Sequence, residues 1–231
     1  MKININPLFI LKSLLFLIIV LFIMNLIGIY VGFSNHDLTI KKIIKLFDFD
    51  TESNFPTYYS SITSLISAYL LFFISIYNKK NNLPYLLWFF LSLSFFYLSA
   101  DEFIQLHEKV DITLRKEFSL SGTLYYAWII PYGIFAIACA VIYYFKFLIA
   151  LPKKIMWLFI ISGFIFIVGA IGFEFLAALF RSPDGKINLI IQILYTMEEL
   201  FEMIGIAIFI YTLLLYIKTE ITNIIEIKKP Q

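Results

Sequence analysis

The 231-residue chain has few of the side chains that most soluble enzymes use for chemistry, with one cysteine and two histidines. A single cysteine, Cys139, cannot form an internal disulfide. The sequence contains no Ser-His-Asp arrangement, phosphate-binding loop or dinucleotide fingerprint. The formal net charge is only +2, which does not indicate a nucleic-acid-binding surface, and we expect no nucleic-acid partner.

Charged residues are also scarce, at 15% of the chain, whereas 61% is hydrophobic and 19% aromatic. Soluble domains are nearer about 45–50% apolar. The mean hydropathy of +0.89 therefore predicts an integral membrane protein with the lipid bilayer as its main partner.

Six segments are long and apolar enough to cross a bilayer, which needs about 20 residues per helix. Their continuous apolarity excludes alternating, barrel-type strands. The predicted fold is all-α, a polytopic six-helix bundle forming one integral membrane domain over residues 1–231. The predicted spans are Leu8–Phe33, Tyr58–Tyr77, Pro84–His107, Leu124–Ile149, Ile155–Phe180 and Ile187–Ile217.

The loops predict the orientation, because ten of the 18 basic residues fall on the side that holds both termini. By the positive-inside rule both termini are cytoplasmic, and we expect a bacterial inner-membrane location. The first apolar segment lacks a small-residue cleavage site and is interpreted as a retained anchor. The outer loop His36–Thr57 contains apolar residues spaced as in a short amphipathic helix lying on the membrane surface.

The informative feature is acidic: seven of the sixteen Asp and Glu residues lie inside or at the ends of these apolar segments. A charge at the centre of a membrane helix costs roughly 2.5–3.5 kcal/mol, so seven would cost up to about 20 kcal/mol. No Lys or Arg shares the apolar cores. A metal ion, protons or water must therefore neutralise the seven acids, which are Asp101, Glu102, Glu108, Glu174, Glu198, Glu199 and Glu202.

Helical rise brings acids from three spans to one level of the bilayer. Counted from the cytoplasmic helix ends, Asp101 lies about 25 Å along its span and Glu174 about 30 Å. Glu202, Glu199 and Glu198 lie about 24, 28 and 30 Å along the last span. We therefore predict one carboxylate cluster in the outer leaflet. A glycine- and alanine-containing stripe with Glu174 predicts close approach of another helix.

The predicted cluster combines carboxylates with one histidine, a ligand set that suits zinc, manganese or iron, while calcium accepts an all-oxygen site. The residue types do not distinguish among these divalent ions. The alternative for His107 and Glu108 is an ordinary polar helix end, and for the three C-terminal glutamates a wet vestibule without specific chemistry. The predicted metal ligands are Asp101, Glu102, His107, Glu108, Glu174, Glu198, Glu199 and Glu202, and the predicted lining residues are Tyr97, Gln105, Gln192 and Tyr195.

The stretches KLFDFDTESNFPTYYSS, FYLSADEFIQLHE and MEELFEMIG, with the glycine-rich helix that contains Glu174, resemble a widespread group of bacterial multipass membrane proteins. These combine a Phe-Asp-rich segment before Pro-Thr, an Asp-Glu-x4-His-Glu helix and a final Glu-Glu helix. The resemblance implies a shared membrane fold and shared acidic positions rather than a reaction.

The leading expectation is a divalent metal ion held in an outward-facing carboxylate and histidine cluster. Whether the protein is an enzyme stays open; a bound ion would activate water or polarise a lipid-linked or periplasmic substrate. The alternatives are a proton- or cation-conducting transporter or channel, and a non-catalytic membrane effector or assembly subunit. A homo-oligomer or a membrane partner protein is compatible with each of them.

Overall fold

The structure, a computed structural model, describes residues 6–34, 37–118, 129–180 and 188–222. The regular elements among these residues are all helices, with no strand among them. The elements are α1 (Pro7–Ser34), α2 (Leu38–Lys45), α3 (Phe55–Lys80), α4 (Leu86–Ile104), α5 (Leu106–Phe118), α6 (Ile129–Lys146), a 3-10 turn (Leu148–Ala150), α7 (Lys153–Ile167), a π-helical segment (Val168–Phe173), α8 (Glu174–Phe180), α9 (Leu189–Tyr216) and a second π-helical segment (Ile217–Thr222).

Five stretches of the described residues are long and apolar enough to span a membrane, which indicates a membrane protein; the fourth, Lys153–Phe180, comprises α7, the first π-helical segment and α8. Within the fourth predicted span, the structure describes α6 and the 3-10 turn after it, of which Ile137–Ala150 counts as a shorter apolar stretch; residues 124–128 lie outside the described residues. The five long stretches correspond to the other predicted spans. The count of six stays a prediction.

Helix α9 forms the centre of the bundle and packs against α1, α3, α7 and α8. Asn188 caps it, accepting a hydrogen bond from the Ile191 backbone N–H at 3.0 Å. Gly205 permits close packing, since a Cβ there would lie 2.9 Å from the backbone nitrogen of Phe166 on α7. Small residues at such crossings are how membrane helices gain van der Waals contact.

Helix α3 packs chiefly on α4 through small polar residues. The Ser61 and Ser99 hydroxyls each donate to the other residue's carbonyl oxygen, at 2.9 and 2.8 Å. Ser92 donates to the Ala68 carbonyl at 2.9 Å. These hydroxyls are buried and satisfied, so they hold the two helices together rather than forming a site.

The cytoplasmic-side ends predicted for α3, α4, α7 and α9 converge on an aromatic core. The Trp88 ring, 3% exposed, lies 4.7 Å from the Phe147 ring, 6.0 Å from Phe159 and 4.8 Å from Tyr216, measured between centroids. Edge-on and tilted ring pairs of this kind add stabilisation beyond the area they bury. This aromatic core closes one end of the bundle.

Candidate functional site: an acid-lined cavity

A cavity of about 1600 Å³ lies between α4, α6, α7 and α9. Most of its wall is aliphatic and aromatic, and its carboxylates come from α4, α8, α9 and the segment between α2 and α3. Eight acidic residues line it: Asp50, Glu52, Asp101, Glu102, Glu174, Glu198, Glu199 and Glu202. No Lys, Arg or His contributes to this wall within the part of the chain that the structure describes.

The structure thus brings together all six acids of α4, α8 and α9 that the sequence places at one level. They are close enough to interact through space. Glu102 experiences the charges of Glu199 and Glu202, and Glu198 those of Glu174 and Glu202. Like charges at such separations destabilise one another unless a cation or protons intervene.

Glu174 reaches the cavity because the helix before it changes its winding. Phe159, Ser162 and Gly169 follow the buried face of α7, but the next buried residue after Gly169 is Glu174, five positions on. In a regular α-helix the next inward position would be three or four residues on. The π-helical segment Val168–Phe173 inserts the extra residue. It therefore turns Glu174 inward, and π-bulges are frequent at functional sites.

Gly169 holds this segment against the glutamates of α9. A Cβ on Gly169 would lie 2.9 Å from the Glu202 backbone nitrogen and 3.0 Å from the Glu198 carbonyl oxygen. Gly163, in contrast, has nothing within 4 Å of an added Cβ and lines the cavity. Of the stripe predicted to pack against another helix, Gly163 and Ala170 line the cavity and Ala178 is buried, whereas the close contact is made by Gly169, which the prediction did not include.

Helix α4 ends directly after its acids. Asp101 is 7% exposed, and its carbonyl oxygen accepts a hydrogen bond from the Gln105 backbone N–H at 2.6 Å. Gln105 adopts a left-handed conformation, with φ 58° and ψ 49°, that terminates the helix. The predicted third span is therefore shorter than Pro84–His107, and α5 begins as a new helix at Leu106.

Asp50 and Glu52 belong to the segment between α2 and α3, and neither was predicted as a site residue. Asn54 shapes it: its amide nitrogen donates to the carbonyls of Asp48 and Thr51, both at 2.6 Å, while its oxygen caps α3. The Thr57 hydroxyl donates to Glu52 at 3.0 Å. Burial raises the pKa of the Asp48 carboxyl in the same segment.

One buried amide fixes this segment to the bundle. Asn25 on α1 is 2% exposed; its nitrogen donates to the Thr196 hydroxyl at 3.0 Å, and its oxygen accepts the Phe49 backbone N–H at 3.1 Å. Phe49 packs in turn beside Ile18 and Met203. Asn25 thus links α1, α9 and the segment that contributes Asp50 and Glu52. The available sequence signals were a lone Asn in an apolar helix and the alternating Phe-Asp-Phe-Asp stretch.

The other residues predicted for the site lie partly in the cavity wall and partly elsewhere. Tyr97 and Tyr195 line the cavity. Gln105 terminates α4, and Gln192 lines a separate cavity of about 280 Å³ beside α1 and α2. The backbones of His107 and Glu108 lie in α5, whereas their side chains are outside the described residues.

Among the described residues, no three His, Cys, Asp or Glu side chains converge closely enough to hold a metal ion directly. The carboxylates surround a volume instead of one point. Such a wall suits a cation that keeps part of its water shell, which hard divalent ions with oxygen ligands do.

A family model described as a domain of unknown function, DUF8692, matches residues 14–217. No curated protein and no solved structure matches the chain.

Proposed function

The chain belongs to the DUF8692 family, whose description gives no activity, so we propose a function from the geometry: an integral membrane protein that binds a divalent cation in an acid-lined cavity. In this proposal six helices cross a bacterial inner membrane and both termini are cytoplasmic. The acids then face the outer side, with α2 on the outer surface.

One observation supports the proposal most: eight carboxylates from four parts of the chain line one cavity without a described basic residue among them. Unit charges about 4 Å apart repel by about 1 kcal/mol in water and by about 4 kcal/mol at the effective dielectric near a protein surface. A divalent ion between them is attracted to each carboxylate, and these attractions outweigh the repulsion, so the cavity favours cations electrostatically.

The donors at the acidic end favour a hard ion. The described side chains there offer carboxylate oxygens and the hydroxyls of Tyr97 and Tyr195. Oxygen ligands suit calcium or manganese better than zinc, which prefers nitrogen and sulfur. Glu198 and Glu202, one helical turn apart on α9, are the central ligands in this proposal, with Glu174 beside them.

Titration of the chelator-treated full chain with Mn²⁺ or Ca²⁺ tests the proposal. We expect saturable binding that Glu198→Gln and Glu202→Gln each weaken by roughly tenfold or more, since each removes a charged ligand. Glu117→Gln is the matched control, because Glu117 is exposed on α5 outside the cavity. Equal affinity in all four proteins, or no saturable binding, would contradict a cation site.

Cation or proton transport is a second candidate, favoured by the interruptions in two acid-bearing helices at Gln105 and Val168–Phe173. Interrupted helices are typical of transporter binding sites. This candidate predicts ion flux in proteoliposomes that disappears in Glu202→Gln. Binding without flux would leave the cation site and exclude transport.

A further inference from the structure

The cavity extends far beyond its acids. On α4 its wall runs from Leu87 to Asp101, which is about 21 Å of helix, and on α7 and α8 it runs from Trp157 to Glu174, which is about 25 Å. The hydrocarbon of one leaflet is about 15 Å thick, half of the bilayer core. The cavity is thus long enough for an extended alkyl chain, whereas a cation alone would occupy only its acidic end.

The part away from the acids, here called the apolar chamber, is lined by Phe90, Phe95, Phe159, Phe164, Trp157 and neighbouring aliphatic residues. Three of its hydroxyls donate to helix carbonyls: Ser94 to Phe90 at 3.1 Å, Ser162 to Phe159 at 3.0 Å and Tyr143 to Leu87 at 3.0 Å. The wall therefore provides few groups that could replace the water around an ion. Apolar contact is what it offers.

The chamber is also open at its side, where the proposed membrane arrangement places the bilayer. Phe90, Trp157 and Phe164 line it, yet 54%, 56% and 67% of their surfaces are exposed. A chain could therefore enter laterally between α4 and α7 without crossing the aromatic core around Trp88. The polar head of such a molecule would then lie at the level of the carboxylates.

We propose that the acidic end and the apolar chamber form one site for a long-chain amine, with its ammonium among the carboxylates and its alkyl chain in the chamber. The inference rests on the proposed function, because the ammonium uses the same cation site as the divalent ion. Charge complementarity selects the head group: an anionic head would be repelled by the acids, and a neutral alcohol could donate a hydrogen bond to a carboxylate but carries no positive charge to offset the repulsion among them.

The test uses the full chain in phosphatidylcholine nanodiscs, titrated with hexadecylamine and, as the matched neutral probe, hexadecanol. Native mass spectrometry reads the stoichiometry and the affinity. We expect one amine per chain, bound roughly tenfold or more tightly than the alcohol, and weakened to a similar extent by Glu198→Gln.

Gly163→Leu separates the chamber from the cation site. Its side chain would enter open space, so we expect a folded protein that retains Mn²⁺ affinity and loses amine affinity by roughly tenfold or more. Gly32→Leu on α1, which also has nothing within 4 Å of its added Cβ, is the control. Leu93→Trp, at an exposed chamber position, is the second filling variant should Gly163→Leu not fold.

Each outcome is decisive. Equal binding of amine and alcohol, unaffected by Glu198→Gln, would show a nonspecific lipid cleft and overturn the inference. Mn²⁺ binding without amine binding would overturn it and leave the cation site standing. If neither Mn²⁺ nor hexadecylamine bound, both proposals would be overturned. Amine binding that persists in both filling variants would place the chain outside the chamber and overturn the assignment.

Discussion

The two ends of this bundle are built from the same helices, but one is packed with aromatic side chains and the other carries carboxylates around open space. At the aromatic end, Trp88, Phe147 and Phe159 are 3%, 6% and 7% exposed and fill the space between α4, α7 and α9. The cavity reaches this aromatic end, where Phe147 and Phe159 form part of its wall, but all eight of its carboxylates lie toward the other end of the bundle. The difference indicates that stability comes mainly from one end and ligand binding from the other.

Two interruptions of regular helical backbone lie beside the cavity acids. Helices α3 and α9 run without interruption for 26 and 28 residues. Helix α4 ends in a left-handed residue, and α7 passes into a π-helical segment, in both cases beside acidic residues. Strained or irregular backbone persists where surrounding structure holds it, and it is concentrated at binding sites. The segment Val168–Phe173 turns Glu174 inward, whereas the other π-helical segment, Ile217–Thr222, follows α9 at the aromatic end and carries no cavity acid.

Removing the central ring of the aromatic end should have the largest effect on stability. Trp88→Ala leaves a space between Phe147, Phe159 and Tyr216, and we expect a loss of about 3–5 kcal/mol in the free energy of unfolding. Mn²⁺ affinity should stay unchanged in the protein that remains folded. Unfolding in detergent micelles and metal titration measure the two quantities.

Phe16→Ala is the control for that prediction. Phe16 is 65% exposed on α1, so its loss should change the unfolding free energy by no more than about 0.5 kcal/mol. If Trp88→Ala weakened cation binding as strongly as it weakens the fold, the two ends would be one energetic unit and the comparison would fail.

Asn25 lies where the acidic end is anchored, and its removal should affect both quantities. Asn25→Ala deprives the Phe49 backbone N–H of its buried acceptor, which costs about 1–3 kcal/mol. Because the segment with Asp50 and Glu52 loses its attachment, we expect Mn²⁺ affinity to fall by a few-fold as well.

Thr196→Val sharpens that result. It removes the acceptor for the Asn25 amide nitrogen but leaves the bond to Phe49, so stability should fall while Mn²⁺ affinity is retained. Equal losses of affinity in Asn25→Ala and Thr196→Val would argue that helix spacing, rather than the attached segment, controls the site.

The sequence allowed prediction of those features that depend on position along a helix. The shared level of Asp101, Glu174 and Glu202 follows from a rise of about 1.5 Å per residue, which small irregularities barely change. The direction in which a side chain points around the helix axis is harder to predict, because one inserted residue turns every later side chain by about 100°. That is why the π-helical segment and the role of Gly169 could not be predicted.

The contribution of the segment between α2 and α3 was missed for a different reason. Asp50 and Glu52 join the cavity through long-range contacts: Asn25 holds Phe49, and Thr57 holds Glu52. Neither helical periodicity nor composition encodes such contacts. An acidic loop residue has the same sequence signature whether it faces water or a cavity.

The smallest expected effect tests whether Gln105 only ends α4 through its backbone conformation or also contributes its side chain to the cation site. Gln105 has φ 58°, a left-handed conformation that costs a side-chain-bearing residue roughly 1–2 kcal/mol relative to glycine. Gln105→Gly should therefore raise the free energy of unfolding by about 1 kcal/mol, since the greater freedom of glycine in the unfolded chain offsets part of the gain. Gln105→Ala, which keeps the strain, should give no such increase. Because Gln105 does not line the cavity, neither variant should alter Mn²⁺ affinity. A lower Mn²⁺ affinity in both variants would mean that the glutamine side chain takes part in the site.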